Sequence, residues 1–221
     1  MGATILFFSA LGVMAVWWLS KQRLTSKPWL EAGNEGEFPG GGALAVPVAK
    51  VGLGVLLAAL GSLFALFISA YLMRMQIEDW RPVPKPTILW INTGVLLLSS
   101  AALQWACAAA DRRDLGALRI ALAATVVAAF AFLAGQLIAW RQLTGDGYAL
   151  SSNPANSFFY LITALHGVHV IGGVVALGLV TFRAWTGTAH GRLRLMLDLS
   201  SLYWDFLLLM WLVLFGLLWL T

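Results

Sequence analysis

The stretch FFYLITALHGVHVIGGVVALGLVTF, residues 158–182, decides how this chain folds. It is apolar enough and long enough to cross a bilayer as one helix, which takes roughly 20 residues. Two ionisable side chains, His166 and His169, nevertheless sit near its middle. Ionisable groups at that depth face a bundle interior or a partner, not lipid. Being three apart, the two histidines project from one helix face, and Gly167, Gly172 and Gly173 beside them leave room for a neighbouring backbone to come close. A second polar position lies in the last apolar run, where Tyr203-Trp204-Asp205-Phe206 carries a carboxylate into the hydrocarbon.

The whole chain follows the same pattern. Of its 221 residues 60% are hydrophobic and only 11% charged, against about 25% charged in a soluble domain, and its mean hydropathy is +0.83. These values place it in a membrane. The basic excess, 14 Lys and Arg against 10 Asp and Glu, is juxtamembrane charge that sets orientation and does not point to nucleic acid. The single cysteine, Cys107, allows no intrachain disulfide or thiolate cluster and suits a small core position.

Charged and Pro/Gly-rich punctuation cuts the chain into six apolar runs: Ala3 to Leu19, Val48 to Met73, Thr87 to Ala110, Ala117 to Trp140, Phe158 to Phe182 and Leu199 to Leu220. Membrane strands would instead alternate over segments of about ten residues. The expected fold is therefore all-α: a polytopic membrane helical bundle, with one N-terminal transmembrane helix (1–20), a cytoplasmic linker (21–47) and a five-helix group (48–221). The first run lacks a preceding basic residue and a clear cleavage site, so it reads as a retained anchor. The linker, with Glu31, Glu35, Glu37 and Gly40-Gly41-Gly42, has the composition of a flexible surface segment. Ten basic residues fall after the first, third and fifth runs or just inside their ends, among them Lys21, Arg23, Lys50, Arg112, Arg119, Arg183 and Arg194. Only Arg74, Arg81, Lys85 and Arg141 fall on the other side. This bias puts the richer side in the cytoplasm and both termini outside it.

Few residues offer chemistry. The third histidine, His190, reads as part of a loop beyond the far end of the helix that carries His166 and His169, so the three do not converge on a metal. The two intramembrane histidines are expected to hydrogen-bond across helices. Asp205 needs a partner or a proton, with Gln104 and Arg119 as the candidates. Asn92 and Gln136 are further expected interhelical hydrogen-bonding groups. Trp17, Trp18, Trp105 and Trp185 at one boundary, with Trp80, Trp90, Trp140 and Trp219 at the other, read as interfacial belts. No phosphate loop, haem-attachment motif or nucleophile elbow is present.

Several ordered islands together resemble subunit III of the haem-copper cytochrome c oxidases. They are Ser69-Ala70-Tyr71 with Asp79-Trp80-Arg81-Pro82, Asn92 followed by Leu96-Leu97-Leu98-Ser99-Ser100, Phe158-Phe159-Tyr160, the block from His166 to Gly173, and Tyr203-Trp204-Asp205-Phe206 with Trp211. The resemblance runs from about Val48 to the C-terminus. It implies an accessory subunit that packs against catalytic subunit I, holds phospholipid and supports proton uptake, with haem and copper in the partner and no cofactor, metal or catalytic residue of its own. His166, Gly167, His169, Gly172, Gly173, Tyr203, Trp204, Asp205 and Trp211 then serve helix packing or partner contact.

Three departures stand out. Family members often have seven helices and an acidic residue where this chain reads Leu60-Gly61-Ser62, and their last helix often reads YWHFVD where this one has Asp205 and Leu208. The resemblance points to the cytoplasmic membrane of a bacterium and to oxygen reduction by the whole complex. A related branch serves nitric oxide reductases, and an independent transporter is the rival from another class, with His166, His169 and Asp205 lining a polar path.

Overall fold

The computed structural model describes residues 48–187 and 190–221. The expected N-terminal helix and linker lie outside these residues. Among the described residues there are five helices, labelled in chain order α1 (Val48–Arg74), α2 (Ile88–Asp111), α3 (Leu115–Gly145), α4 (Pro154–Trp185) and α5 (His190–Leu220). All five are long and apolar enough to span a membrane. They follow the five later apolar runs, with one clear difference: α5 begins at His190 and not at Leu199. Its first three turns carry Arg192, Arg194 and Asp198, charges that hydropathy alone assigns to a loop; Arg194 and Asp198 find ionic partners in the bundle.

The helix ends follow from local chemistry. Asp114 caps α3, its carboxylate accepting from the Ala117 amide at 3.0 Å. Asn153 caps α4, accepting from the Ala155 amide at 3.2 Å, and Pro154 occupies the first turn, where no amide hydrogen is needed. α3 ends where Gly147 takes a φ of 87°, which lets the Tyr148 amide turn back to the Leu143 carbonyl at 2.9 Å. In the proline-rich connection from α1 to α2, Arg74 holds Asp79 in a two-pronged ion pair with one arm of 2.6 Å. That guanidinium keeps the Asp79 carboxyl below its ordinary range.

α5 is the hub. It packs on α4, α2 and α1, while α3 bridges α2 and α4, and α1 also touches α4. The core is closed by Phe64, Leu96, Leu103, Phe132, Ile162, Leu177, Leu197, Trp204 and Trp211, all buried. The outside is apolar as well: Leu66, Leu98, Val127, Val168 and Leu179 are exposed along the helix shafts. Helices apolar on every side belong in lipid, where packing and interhelical polar contacts replace the hydrophobic effect as the force between them.

Candidate functional site

The two sequence blocks singled out in α4 and α5 meet each other. Gly173 is where the helices come closest: a Cβ built there would lie 2.9 Å from Trp204 Cζ3 and 3.2 Å from Tyr203 Cε1. One turn away, the Tyr203 hydroxyl donates to the His169 carbonyl at 3.1 Å. Gly172 faces the same hydroxyl, 3.6 Å from its notional Cβ. Gly167 does not share this role, since nothing lies within 4 Å of the space a side chain would take there.

His166 is wholly buried. Its ring is enclosed by aromatic rings from three helices, Trp211 at 5.2 Å, Phe132 at 5.9 Å and Phe64 at 6.3 Å between centroids. Neither ring nitrogen has a hydrogen-bond partner, so the interhelical hydrogen bond expected of it is absent among the described residues. His169 is half-buried and edge-on to Phe64 at 5.5 Å. Its Nδ1 lies 2.7 Å from the Leu165 carbonyl on its own helix. A carbonyl only accepts, so this contact puts a proton on Nδ1.

Trp211 completes the layer around His166. Its indole Nε1 donates to Thr93 Oγ1 at 2.9 Å, and that hydroxyl donates onward to the Leu89 carbonyl at 2.8 Å. Asn92, beside Thr93, is buried against Gly135 of α3. Its Oδ1 occupies the space of a notional Gly135 Cβ, with Asn92 Cγ 2.8 Å from that point. Asn92 Nδ2 and both amide atoms of Gln136 have no hydrogen-bond partner. Asn92 therefore packs on α3, and Gln136 is buried, without the hydrogen bonds expected of them among the described residues.

Asp205 holds a different interface, between α5 and α2. Ser100 Oγ donates to its Oδ1 at 2.6 Å and Gln104 Nε2 donates to its Oδ2 at 2.8 Å. Gln104 also donates to Ser201 Oγ at 2.9 Å. Of the two expected partners, then, Gln104 is one and Arg119 is not. Arg119 instead donates to the Ala184 carbonyl at 3.2 Å and stacks on Trp185 at 4.9 Å. Ser100 escaped the sequence reading, although it stands four residues before Gln104 and so shares its helix face.

Below this pair, towards the end of the bundle where α2 meets α3, lies a belt of ions. Arg194 is 2.9 Å from Asp111 and 3.1 Å from Asp198, and Asp198 is 3.9 Å from Lys50. Among the described residues no three His, Cys, Asp or Glu side chains are grouped to hold a metal ion. Cys107 is free and buried.

Fold and site together define a polytopic α-helical membrane protein whose intramembrane polar side chains lie at or beside helix–helix contacts. Residues 53–220 match the family described as Cytochrome c oxidase subunit III, and the chain belongs to that family. Similar proteins include a probable cytochrome c oxidase subunit 3 of Nocardia farcinica, 31% identical over 155 residues, which cover 68% of this chain and 76% of the relative. Another of that description, from Mycobacterium tuberculosis, is 32% identical over 69% of this chain and 76% of its own. The cytochrome c oxidase subunit 3 of Thermostichus vulcanus is 30% identical over 72% of this chain and 78% of its own. The general role of the chain is that of its family, an accessory membrane subunit of a haem-copper oxidase.

The enclosure of His166 leads to a direct expectation. Replacing His166 and His169 together by leucine removes the aromatic contacts with Phe64, Phe132 and Trp211, each worth about 0.5 to 1.5 kcal/mol, and no hydrogen bond between helices. The thermal midpoint of the assembled complex should fall, while turnover per haem in surviving complexes stays the same. A double variant that assembles normally and loses turnover by orders of magnitude would assign these rings a part in proton transfer.

Proposed function

We propose that this chain is subunit III of a bacterial respiratory haem-copper oxidase, taking no part in bond-making itself and supporting assembly, phospholipid binding and proton uptake. Haem and copper belong to the partner subunit I, and electrons come from cytochrome c or a quinol. The chain lies in the cytoplasmic membrane with both termini outside the cytoplasm, an N-terminal membrane helix at 1–20, a cytoplasmic linker at 21–47 and the bundle at 48–221. The observation that carries this reading is that the family match extends over residues 53–220, and that the two blocks most characteristic of the resemblance form one seam, Gly173 on Trp204 and Tyr203 on His169.

Other features support the finer roles. A cavity of about 380 Å³ is lined by Arg113, Arg119, Arg183 and Leu193 at the end that the charge bias gives to the cytoplasm. Among the described residues no carboxylate forms a salt bridge with those three arginines, and basic pockets of this kind suit anionic headgroups. The belt of Asp111, Asp198, Arg194 and Lys50 lies at the same end, where protons would be collected.

Purification of the tagged full chain in mild detergent tests the proposal. A haem-bearing partner should accompany it in a fixed ratio, with anionic phospholipid retained on native mass spectrometry, and the complex should consume oxygen. Recovery without haem would overturn the reading. Consumption of nitric oxide in place of oxygen would move the chain to the reductase branch.

A further inference from the structure

The bundle has an open side. α1 and α2 both pack on α5 without packing on each other, so among the described residues a strip of α5 lies open between them. Asp198, Asp205, Leu208 and Leu212 recur along it at helical spacing. Leu212 is 39% exposed, Asp205 is half-buried and Gln104 on the α2 wall is exposed. The polar pair lies seven residues along α5 from Asp198 in the ion belt, or about 10 Å deeper at the rise of an α-helix. That is inside the hydrocarbon.

Lipid is a poor cover for this strip. Asp205 accepts from Ser100 and Gln104, both neutral, and has no salt-bridge partner among the described residues. The basic groups of the belt are already engaged: Arg194 by Asp111 and Asp198, Lys50 by Asp198. A carboxylate accepting one neutral hydrogen bond at each oxygen still has lone pairs free for a further donor. Within a membrane, acidic side chains face a partner or a water-filled cavity and pair there.

We infer that the α1–α2 seam over α5 is the docking face for a transmembrane helix of the oxidase's partner subunit, and that this helix brings a basic side chain to Asp205. The inference rests on the subunit reading above and adds to it the face and the chemistry of the contact. Leu97 on α2, 45% exposed, and Leu212 on α5 both lie on the side of the ion-pairing point away from the ion belt and supply the apolar contact there. The face sets apolar side chains beside an acidic one that can fix register.

The test uses the purified complex. A benzophenone amino acid placed at Leu212 should cross-link to the haem-bearing partner. The same probe at Leu179 on α4, more open still at 55% exposure, should not. Asp205→Asn, which keeps the shape and loses the charge, should lower haem recovered per chain at least about fivefold. Leu212→Trp, a change on an open surface that leaves the interior alone, should do the same, and Leu179→Trp should not.

Cross-links from Leu212 to residues 1–47 of the same chain, to a second copy or to lipid alone would overturn the inference. So would full haem recovery in both Asp205→Asn and Leu212→Trp. In those cases haem still accompanies the wild-type chain and the subunit reading stands, whereas a wild-type chain recovered without haem refutes both.

Discussion

Gly135→Ala is expected to destabilise the bundle by about 3 kcal/mol, the upper end of what one added methyl costs in a filled core. The methyl group would enter the space held by Asn92 Oδ1, with Asn92 Cγ 2.8 Å and Nδ2 3.1 Å from the new carbon. Asn92 is 2% exposed, so it has no free volume to retreat into. Either α2 separates from α3 or the amide takes a strained rotamer. Asn92→Ala by itself should cost far less, about 1 kcal/mol, because Nδ2 has no hydrogen-bond partner to lose.

The two changes should compensate. In the double variant the alanine methyl at 135 occupies space that the amide has left, and most of the stability should return, giving a coupling of roughly 2 kcal/mol in a double-mutant cycle. Unfolding in mixed micelles followed by tryptophan fluorescence measures all three variants. Simple additivity of the two losses would show that Asn92 and Gly135 are not in contact.

This pair also shows how far the sequence could be read. Asn92 and Gln136 are conspicuous as polar residues in apolar runs, and interhelical contact is a sound expectation for both. Which atom meets which depends on the rotation of α2 against α3, about which a run of apolar residues says nothing. With no polar face, these helices have no periodicity from which the buried side could be read, so Gly135 looked like any other small residue. The spans themselves were legible, because bilayer thickness and backbone desolvation leave a long apolar run little choice but a helix. The start of α5 was not, since hydropathy cannot see that Arg194 and Asp198 find partners in Asp111 and Lys50.

The same limit applies at Asp205 and His166. A lone intramembrane carboxylate must be answered, and Gln104 at similar depth was a legible answer. Arg119, nearer the surface on α3, turns instead to the Ala184 carbonyl and the Trp185 ring of α4. For His166 the sequence shows an ionisable ring at mid-membrane and suggests hydrogen bonding. The fold surrounds it with Phe64, Phe132 and Trp211, residues scattered over three other helices and brought together only by packing.

Trp211 joins these contacts, and its replacement by alanine should have the largest effect of all, about 3 to 5 kcal/mol. Its side chain is 1% exposed, edge-on to Phe132 at 4.9 Å and 5.2 Å from His166, and its indole N–H donates to Thr93 Oγ1. Two sources of that loss can be told apart. Trp211→Phe keeps an aromatic ring on Phe132 and His166 and deletes the hydrogen bond. Hydrogen bonds between membrane helices average only about 0.6 kcal/mol, and Thr93 still donates to the Leu89 carbonyl without the indole. Phenylalanine should therefore cost about 1 kcal/mol and alanine several times more, read as midpoints of thermal or denaturant unfolding in the same micelles. If phenylalanine costs as much as alanine, the α2–α5 contact is held by the indole hydrogen bond and not by the aromatic layer.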